Sequence, residues 1–280
     1  MKIFKIIFGI VVSIILIMGC CVFYAFKIEP YRIETNQYIL NEKKSASRDL
    51  KIVQFSDLHI KGDFTYKNLD KVVKEINRQN PDLVIFTGDL YDNYAKYNDD
   101  ENIVAKLMSI KAKYGKIAIW GNRDYGGGSV RKYQAIMESA GFTLLRNETM
   151  MMEIKNKNIM ITGMDDLLLG KPGIDPIENT QEIDYKILLT HEPDIAEEWK
   201  EYDYDLILSG HSHGGQINIP FLPMINRKAL SITDFSSIYS GGMYELENKA
   251  KTKLYVNTGI GTTHISARFD VIPEIALFYL

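Results

Sequence analysis

The fold of this 280-residue chain is most restricted by one recurring junction, a short β-branched, apolar run that ends at once in a carboxylate, an amide or an imidazole. Leu50-Lys51-Ile52-Val53-Gln54-Phe55 runs into Ser56-Asp57-Leu58-His59, and Asp82-Leu83-Val84-Ile85-Phe86-Thr87 into Gly88-Asp89. Lys116-Ile117-Ala118-Ile119-Trp120 runs into Gly121-Asn122-Arg123-Asp124. Such runs read as strands. Between the first two, Tyr66, Leu69, Val72, Val73 and Ile76 recur at helical spacing and stop at Asn80-Pro81. Between the second and third lies a helix-like run with Ile103, Val104, Leu107 and Met108. The alternation predicts an α/β domain with a doubly wound parallel sheet, whose polar groups collect outside the carboxyl ends of the strands.

Two further junctions follow. Tyr185-Lys186-Ile187-Leu188-Leu189-Thr190 leads to His191-Glu192-Pro193, with Pro193 suited to the first turn of a short helix ending near Trp199. Leu206-Ile207-Leu208 leads to Ser209-Gly210-His211-Ser212-His213-Gly214-Gly215-Gln216. Histidines at i and i+2 face opposite ways on a regular strand, but the flanking glycines free the backbone to aim both at one point. Taken singly, each junction has a bland reading: an Asp after a strand is a common helix cap, and a glycine-rich turn with two histidines can be merely polar. Taken together, Asp57, His59, Asp89, Asn122, His191, His211 and His213 are ligand-type groups placed just past apolar strands, and that number suits two divalent metal ions. Oxygen and nitrogen donors without sulfur point to Mn²⁺, Fe²⁺ or Zn²⁺, with Mn²⁺ favoured over exclusive use of Mg²⁺. The only cysteines, Cys20 and Cys21, are adjacent in an apolar N-terminal run, so the globular part has neither a disulfide nor a thiolate site. A net charge of -3 argues against a nucleic-acid partner, since phosphate-backbone binders concentrate Lys and Arg.

From Ile6 to Phe26 the chain is uncharged and rich in Ile, Val, Leu and Phe, long enough as a helix to cross a hydrocarbon core. Lys2 and Lys5 precede it, which by the positive-inside rule places the N-terminus in the cytoplasm and the following domain outside. A cleaved signal peptide is the competing reading, but its apolar region is usually shorter and ends in a small-residue site. Ile17-Met18-Gly19-Cys20 loosely resembles a lipoprotein cleavage box, against which stands the apolar continuation through Phe26. The expected organisation is a membrane anchor over 1–27, a polar linker over 28–49, with Asn41 to Ser47 a solvated connection or hairpin turn, and one domain over 50–280.

Elsewhere the expectations are a helix over Ser129 to Ala140, strands near Phe142 to Leu145 and Asn158 to Thr162, and a closing strand over Glu274 to Leu280. Asp165 and Asp166, after Gly163-Met164, could reach the site, but as paired acids in a turn they read as solvated. Ile217 to Ile225 reads as a core strand, with a lip over Phe221 to Ile225 for a lipid-linked substrate as the second possibility. His264 reads as a solvated or hydrogen-bonded histidine outside the site, although it could replace a missing proton donor.

The ordered set D-x-H, G-D, G-N-x-D, a lone His and G-H-x-H resembles the calcineurin-like metallophosphoesterases over most of residues 50 to 261. Thr190-His191-Glu192-Pro193-Asp194, the Ser209 to Gln216 stretch and Val256-Asn257-Thr258-Gly259-Ile260-Gly261 look like its membrane-associated bacterial branch, which comprises phosphodiesterases and UDP-2,3-diacylglucosamine pyrophosphatase-like proteins. The resemblance implies a four-layer α/β/β/α sandwich. It also implies one ion on Asp57, His59 and His213, a second on Asn122, His191 and His211, and Asp89 bridging them, with a hydroxide shared by the ions attacking phosphorus. Asp89, Asn122, Arg123 and Asp124 are the implied catalytic set.

One position departs from the family. Where the pattern has G-N-H-D this chain has Arg123, which cannot act as a general acid but can grip a phosphate or pyrophosphate oxygen with its planar fork. That tilts the expectation toward phosphodiesters or pyrophosphates, lipid- or nucleotide-linked, whose leaving groups need little protonation. If Arg123 only pairs with Asp124 the tilt disappears. A broad phosphomonoesterase and a catalytically weak metal-binding scaffold are the alternatives.

Overall fold

A computed structural model describes residues 2–40, 50–173, 182–222, 226 and 233–280. The N-terminal helix α1 (Lys2–Lys27) is followed by a short turn and β1 (Glu34–Ile39). The first βα repeat is β2 (Lys51–Phe55), α2 (Tyr66–Arg78), β3 (Leu83–Phe86), α3 (Asp100–Met108) and β4 (Gly115–Ala118). Then come α4 (Asn122–Tyr125), α5 (Tyr133–Ser139), β5 (Thr143–Leu144), β6 (Glu148–Ile154) and β7 (Lys157–Gly163). The second half holds β8 (Tyr185–Leu189), α6 (Ala196–Trp199), β9 (Leu206–Ser209), β10 (Gly242–Glu245), β11 (Lys253–Val256) and β12 (Glu274–Tyr279).

Two six-stranded sheets result, ordered β1-β12-β2-β3-β4-β5 and β10-β11-β9-β8-β7-β6. Within the first, β2 to β5 run parallel, and β12 inserts antiparallel beside β2 and parallel to β1. Within the second, β7, β8, β9 and β11 are parallel and the edges β6 and β10 antiparallel. Strand periodicity sorts the side chains into layers. Ile52, Leu83, Ile85 and Ile117 point at Ile161, Ile187, Leu206 and Leu208, forming the core between the sheets. The alternate residues Val53, Phe55, Val84 and Phe86 meet Leu69, Val72 and Ile76 of α2, Ile103 and Leu107 of α3, and Ile136 of α5. Outside the second sheet, Leu188, Ile207 and Leu254 pack on Ile195, Ala196 and the ring of Trp199. The layers are therefore α/β/β/α, the last one thin.

Helix α2 begins where expected because Thr65 caps it: its Oγ1 accepts from Lys67 N–H, and Asn68 Oδ1 accepts from Thr65 N–H at 2.8 Å. Four expectations are corrected. Glu34–Ile39, inside the expected linker, forms an edge strand whose polar side chains suit a half-exposed position beside β12; Asn41 to Ser47 lie outside the described residues. The expected helix over 129–140 is broken at Lys132 into a single turn and α5. The expected core strand at 217–225 reduces to one bridge, Ile217 to Phe269, and Phe221 is 98% exposed; 223–225 are not described. Asp165 and Asp166 are buried, not solvated, because the following turn wraps around them: Asp165 accepts from Tyr125 Oη, Arg146 Nε and Lys171 N–H, and Asp166 from Leu169 N–H.

Candidate metal centre

The carboxyl ends of β2, β3 and β4 in one sheet and of β8 and β9 in the other open onto the same cleft, so each sheet contributes donors. Asp57 and His59 follow β2, Asp89 follows β3, Asn122 opens α4 after β4, His191 follows β8, and His211 and His213 follow β9. Five of these residues, Asp57, His59, Asp89, His211 and His213, have positive φ between 42° and 69°. Non-glycine residues rarely adopt this region, and a cluster of them marks backbone held against its preference at a functional site. Backbone bonds hold it there: Asp57 N–H donates to Gly88 O at 3.0 Å and His59 N–H to Asp89 O at 3.2 Å. His211 N–H donates to Asp57 Oδ2 at 3.0 Å, tying the two sheets together. That approach needs Gly210, since a Cβ there would overlap Ser56 Oγ and the Asp57 carboxylate.

Asp57, His59 and His213 converge. His59 Nε2 and His213 Nε2 lie 2.9 Å apart, and Asp57 Oδ1 is 3.6 Å from the first and 3.5 Å from the second. Donors bound to one ion at roughly right angles, with bonds of about 2.1 Å, sit about 3 Å apart, so this spacing fits a shared cation. Asp89 faces both halves of the cleft: its Oδ2 is 3.4 Å from His59 Nε2 and 3.4 Å from His191 Nε2, while its Oδ1 accepts Arg123 N–H at 2.7 Å. His191 Nδ1 bonds Thr87 O at 2.7 Å, which frees Nε2 for a ligand. His211 Nε2 bonds Asp234 O at 2.8 Å, which frees Nδ1. Asp57 Oδ1 and His191 Nε2 are buried without a hydrogen-bond partner, a costly state for polar atoms unless an ion takes their lone pairs. Asp57–His59–His213, Asp57–Asp89–His191 and His191–Glu192–His211 each gather donors within 4.8 Å of one another. The donor set fits divalent metal.

Charges follow the packing. Burial alone would lower His59 and His191, but the carboxylates outweigh it: Asp57, Asp92 and Asp89 hold His59 above its ordinary value, and Asp89 and Asp57 hold His191 well above. His211 is lowered to about 4 by burial and the neighbouring His191 charge, and His213 is lowered well below its usual value by burial, His59 and Arg268. Burial opposes ionisation of Asp57 and Asp89, yet the surrounding imidazoles hold both below the usual carboxylate range. Asp124 is buried and turned away from the cleft. Its carboxylate accepts from the N–H groups of Asp89, Leu90 and Gly121, so it shapes the turn that carries Asp89 and Asn122. Burial and the Asp89 charge push it up to about 8.

Arg123 does not pair with Asp124. Its Nη2 donates to Thr263 Oγ1 at 3.0 Å, on the rim of a cavity of about 110 Å³ that His59, Asp89, Asn122, His211 and His213 also line. His264 stands on the same rim, inside the site from which sequence reasoning left it out. Three more residues were missed. Asp92 Oδ1 lies 3.4 Å from His59 Nδ1, a partner only three residues from Asp89 and so within reach of a closer reading. Glu192, beside His191, is fully buried with Oε1 unpartnered. Arg268 is fully buried, donates to the carbonyls of Thr258, Gly259, Gly261 and Val271, and lies 3.3 Å from His213 Nδ1; nothing local in the sequence distinguishes it.

Comparison with known proteins points to one family. The family description "Calcineurin-like phosphoesterase" matches residues 50–215. The chain is 37% identical over 262 residues to the uncharacterized metallophosphoesterase YkuE of Bacillus subtilis, covering 92% of this chain and 88% of that one. It is 27% identical over 325 aligned positions to the UDP-2,3-diacylglucosamine pyrophosphatase LpxG of Chlamydia trachomatis, covering 96% of each. Among solved structures, TT1561 of Thermus thermophilus aligns with a TM-score of 0.43 and 12% identity, over 75% of this chain and 90% of that one.

Proposed function

Because the chain belongs to the calcineurin-like phosphoesterases, we propose that it hydrolyses a phosphodiester or pyrophosphate bond with two divalent ions, Mn²⁺ favoured, held in the cleft between the sheets. Asp57, His59 and His213 would hold one ion, Asn122, His191 and His211 the other, and Asp89 both. Such a pair of ions, when bound, acidifies a shared water, orients the phosphorus and neutralises charge on its oxygens. The protein's part is positional: Thr87 O and Asp234 O fix the His191 and His211 tautomers, and Asp124 holds the turn carrying Asp89 and Asn122.

The observation that carries the choice of bond is Arg123. With Asp124 committed to backbone amides, the guanidinium faces the cavity and can clasp a non-bridging phosphate oxygen. The relative LpxG, named for a pyrophosphatase activity on a diacylated nucleotide sugar, supports the same bond class. Hydrolysis of bis(p-nitrophenyl) phosphate and p-nitrophenyl phosphate by the wild type and Arg123→Ala tests it. The expected outcome is diester preference in the wild type and a larger loss on the diester in the variant; equal losses on both would remove the support. His264 on the rim favours a second reading, a phosphomonoesterase with His264 protonating an alcohol leaving group, in which case His264→Gln lowers monoester turnover selectively.

Helix α1 is long and apolar enough to cross a membrane. With Lys2 and Lys5 in its first turns, ahead of the uncharged run Ile6 to Phe26, the reading is a membrane-anchored enzyme whose domain lies outside the cytoplasm and acts on an envelope substrate.

A further inference from the structure

The cavity that contains the metal-type donors continues into a second one, of about 150 Å³, which shares His213, Thr233, Thr263 and His264 with it. Beyond those residues its walls are Ser212, Gly215, Gln216, Ile217 and Ile265, and carbon dominates the exposed lining. The slot is built. Gln216 is buried, donates Nε2 to Ile265 O at 3.0 Å and accepts Thr263 N–H on Oε1, which pins the segment over the slot and leaves Ile265 43% exposed. The same segment runs directly to the membrane helix. Phe269 N–H donates to Gln216 O at 2.9 Å, and the Phe269 ring meets Tyr24 of α1 edge to face with centroids 6.3 Å apart. Arg268 N–H donates to Ala25 O at 2.9 Å, and Val271 N–H to the buried Glu29 at 2.7 Å.

A phosphoryl group among the metal-type donors therefore directs one substituent into an apolar slot, on the segment where α1 joins the domain. We infer that this slot receives the hydrocarbon next to phosphorus in a membrane-lipid phosphate, so that substrate enters from the bilayer in which α1 is anchored. The inference rests on the phosphoesterase reading for the phosphoryl end, and on Ile217 and Ile265 for the chain. The polar side chains of Ser212 and Gln216 on its wall already bond Ser240 O, Gly214 N–H, Ile265 O and Thr263 N–H, so a sugar or nucleoside hydroxyl would have to compete for them, whereas hydrocarbon would not.

The test is binding, not turnover. Full-length protein with Mn²⁺, in phosphatidylcholine nanodiscs, is titrated calorimetrically with octylphosphonate and with methylphosphonate, using empty discs as the blank. The expected result is about tenfold tighter binding of the octyl compound, the gain from a couple of methylene groups leaving water. Ile265→Glu, and separately Ile217→Ser, should collapse that ratio. Equal binding of the two phosphonates, no binding of either, or a ratio unaffected by both variants overturns the slot. If diester turnover is present but the chain preference is not, the slot fails and the phosphoesterase reading stands; chain preference without turnover on any ester has the opposite meaning.

Discussion

The two halves of the cleft are built differently. Around Asp57, His59 and His213 the packing is tight: all three are buried, their donor atoms converge, and Asp92 and Arg268 back the two rings, with the edges of His59 and His213 lining the cavity. Around His191, His211 and Asn122 the two imidazoles are equally buried, but Asn122 is half-buried and shares the cavity wall with Arg123, Leu168 and Asp234. Asp89 faces both at 3.4 Å. On the two-ion proposal, the more tightly packed half would retain its ion, and the half with Asn122 on the cavity wall would admit a phosphoryl group beside the other.

The largest expected effect comes from the shared carboxylate. Asp89→Ala should abolish ester hydrolysis and lower metal content in both halves; because second partners of ligands already cost about 10–100-fold, a loss beyond a hundredfold is expected. Retention of the wild-type metal content would break the view that Asp89 serves both. Next, His59→Ala and His211→Ala should separate the halves when metal is measured after dialysis. The first loses the retained ion, whereas the second keeps it and loses the other. Equal depletion would erase the distinction. Arg123→Ala touches the half with Asn122 alone, removing a charge-assisted contact of about 1.5–3 kcal/mol and lowering diester turnover roughly ten- to a hundredfold with metal content unchanged.

The smallest effect is protonic. His59 and His191 are held above their ordinary value, so an incoming ion must displace their protons. Metal uptake near neutral pH should release protons, and affinity should fall as pH drops. For the metal-free fold the sign is opposite. A raised imidazole contributes its stability fully below the unfolded value of about 6.5 and loses it as pH rises through the raised folded value. Metal-free protein should therefore become less stable above neutrality and metal-loaded protein should not, which thermal melts at several pH values would show.

Much of this arrangement was legible because its donors stand immediately after apolar runs whose period of two fixes both the strand and its faces. Ile52 against Val53, and Leu83 against Val84, already separate the inter-sheet core from the helix-facing one. What stayed hidden depends on distant partners. Glu34–Ile39 is polar, and its strand character comes from β12 at the other end of the chain. Arg268 gains its role from carbonyls of a loop that folds around it, and His264 reaches the rim through that same loop. The left-handed backbone at Asp57, His59 and His213 was invisible because these are not glycines; tertiary bonds impose it.

The most direct test is diester hydrolysis followed as Mn²⁺ is titrated into metal-free, full-length protein, with bound metal counted in parallel. Two ions sharing Asp89 predict little turnover while the more tightly packed half fills, then a rise to full rate as the second equivalent binds. Full turnover at one equivalent, or none with both bound, would contradict a two-ion phosphoesterase.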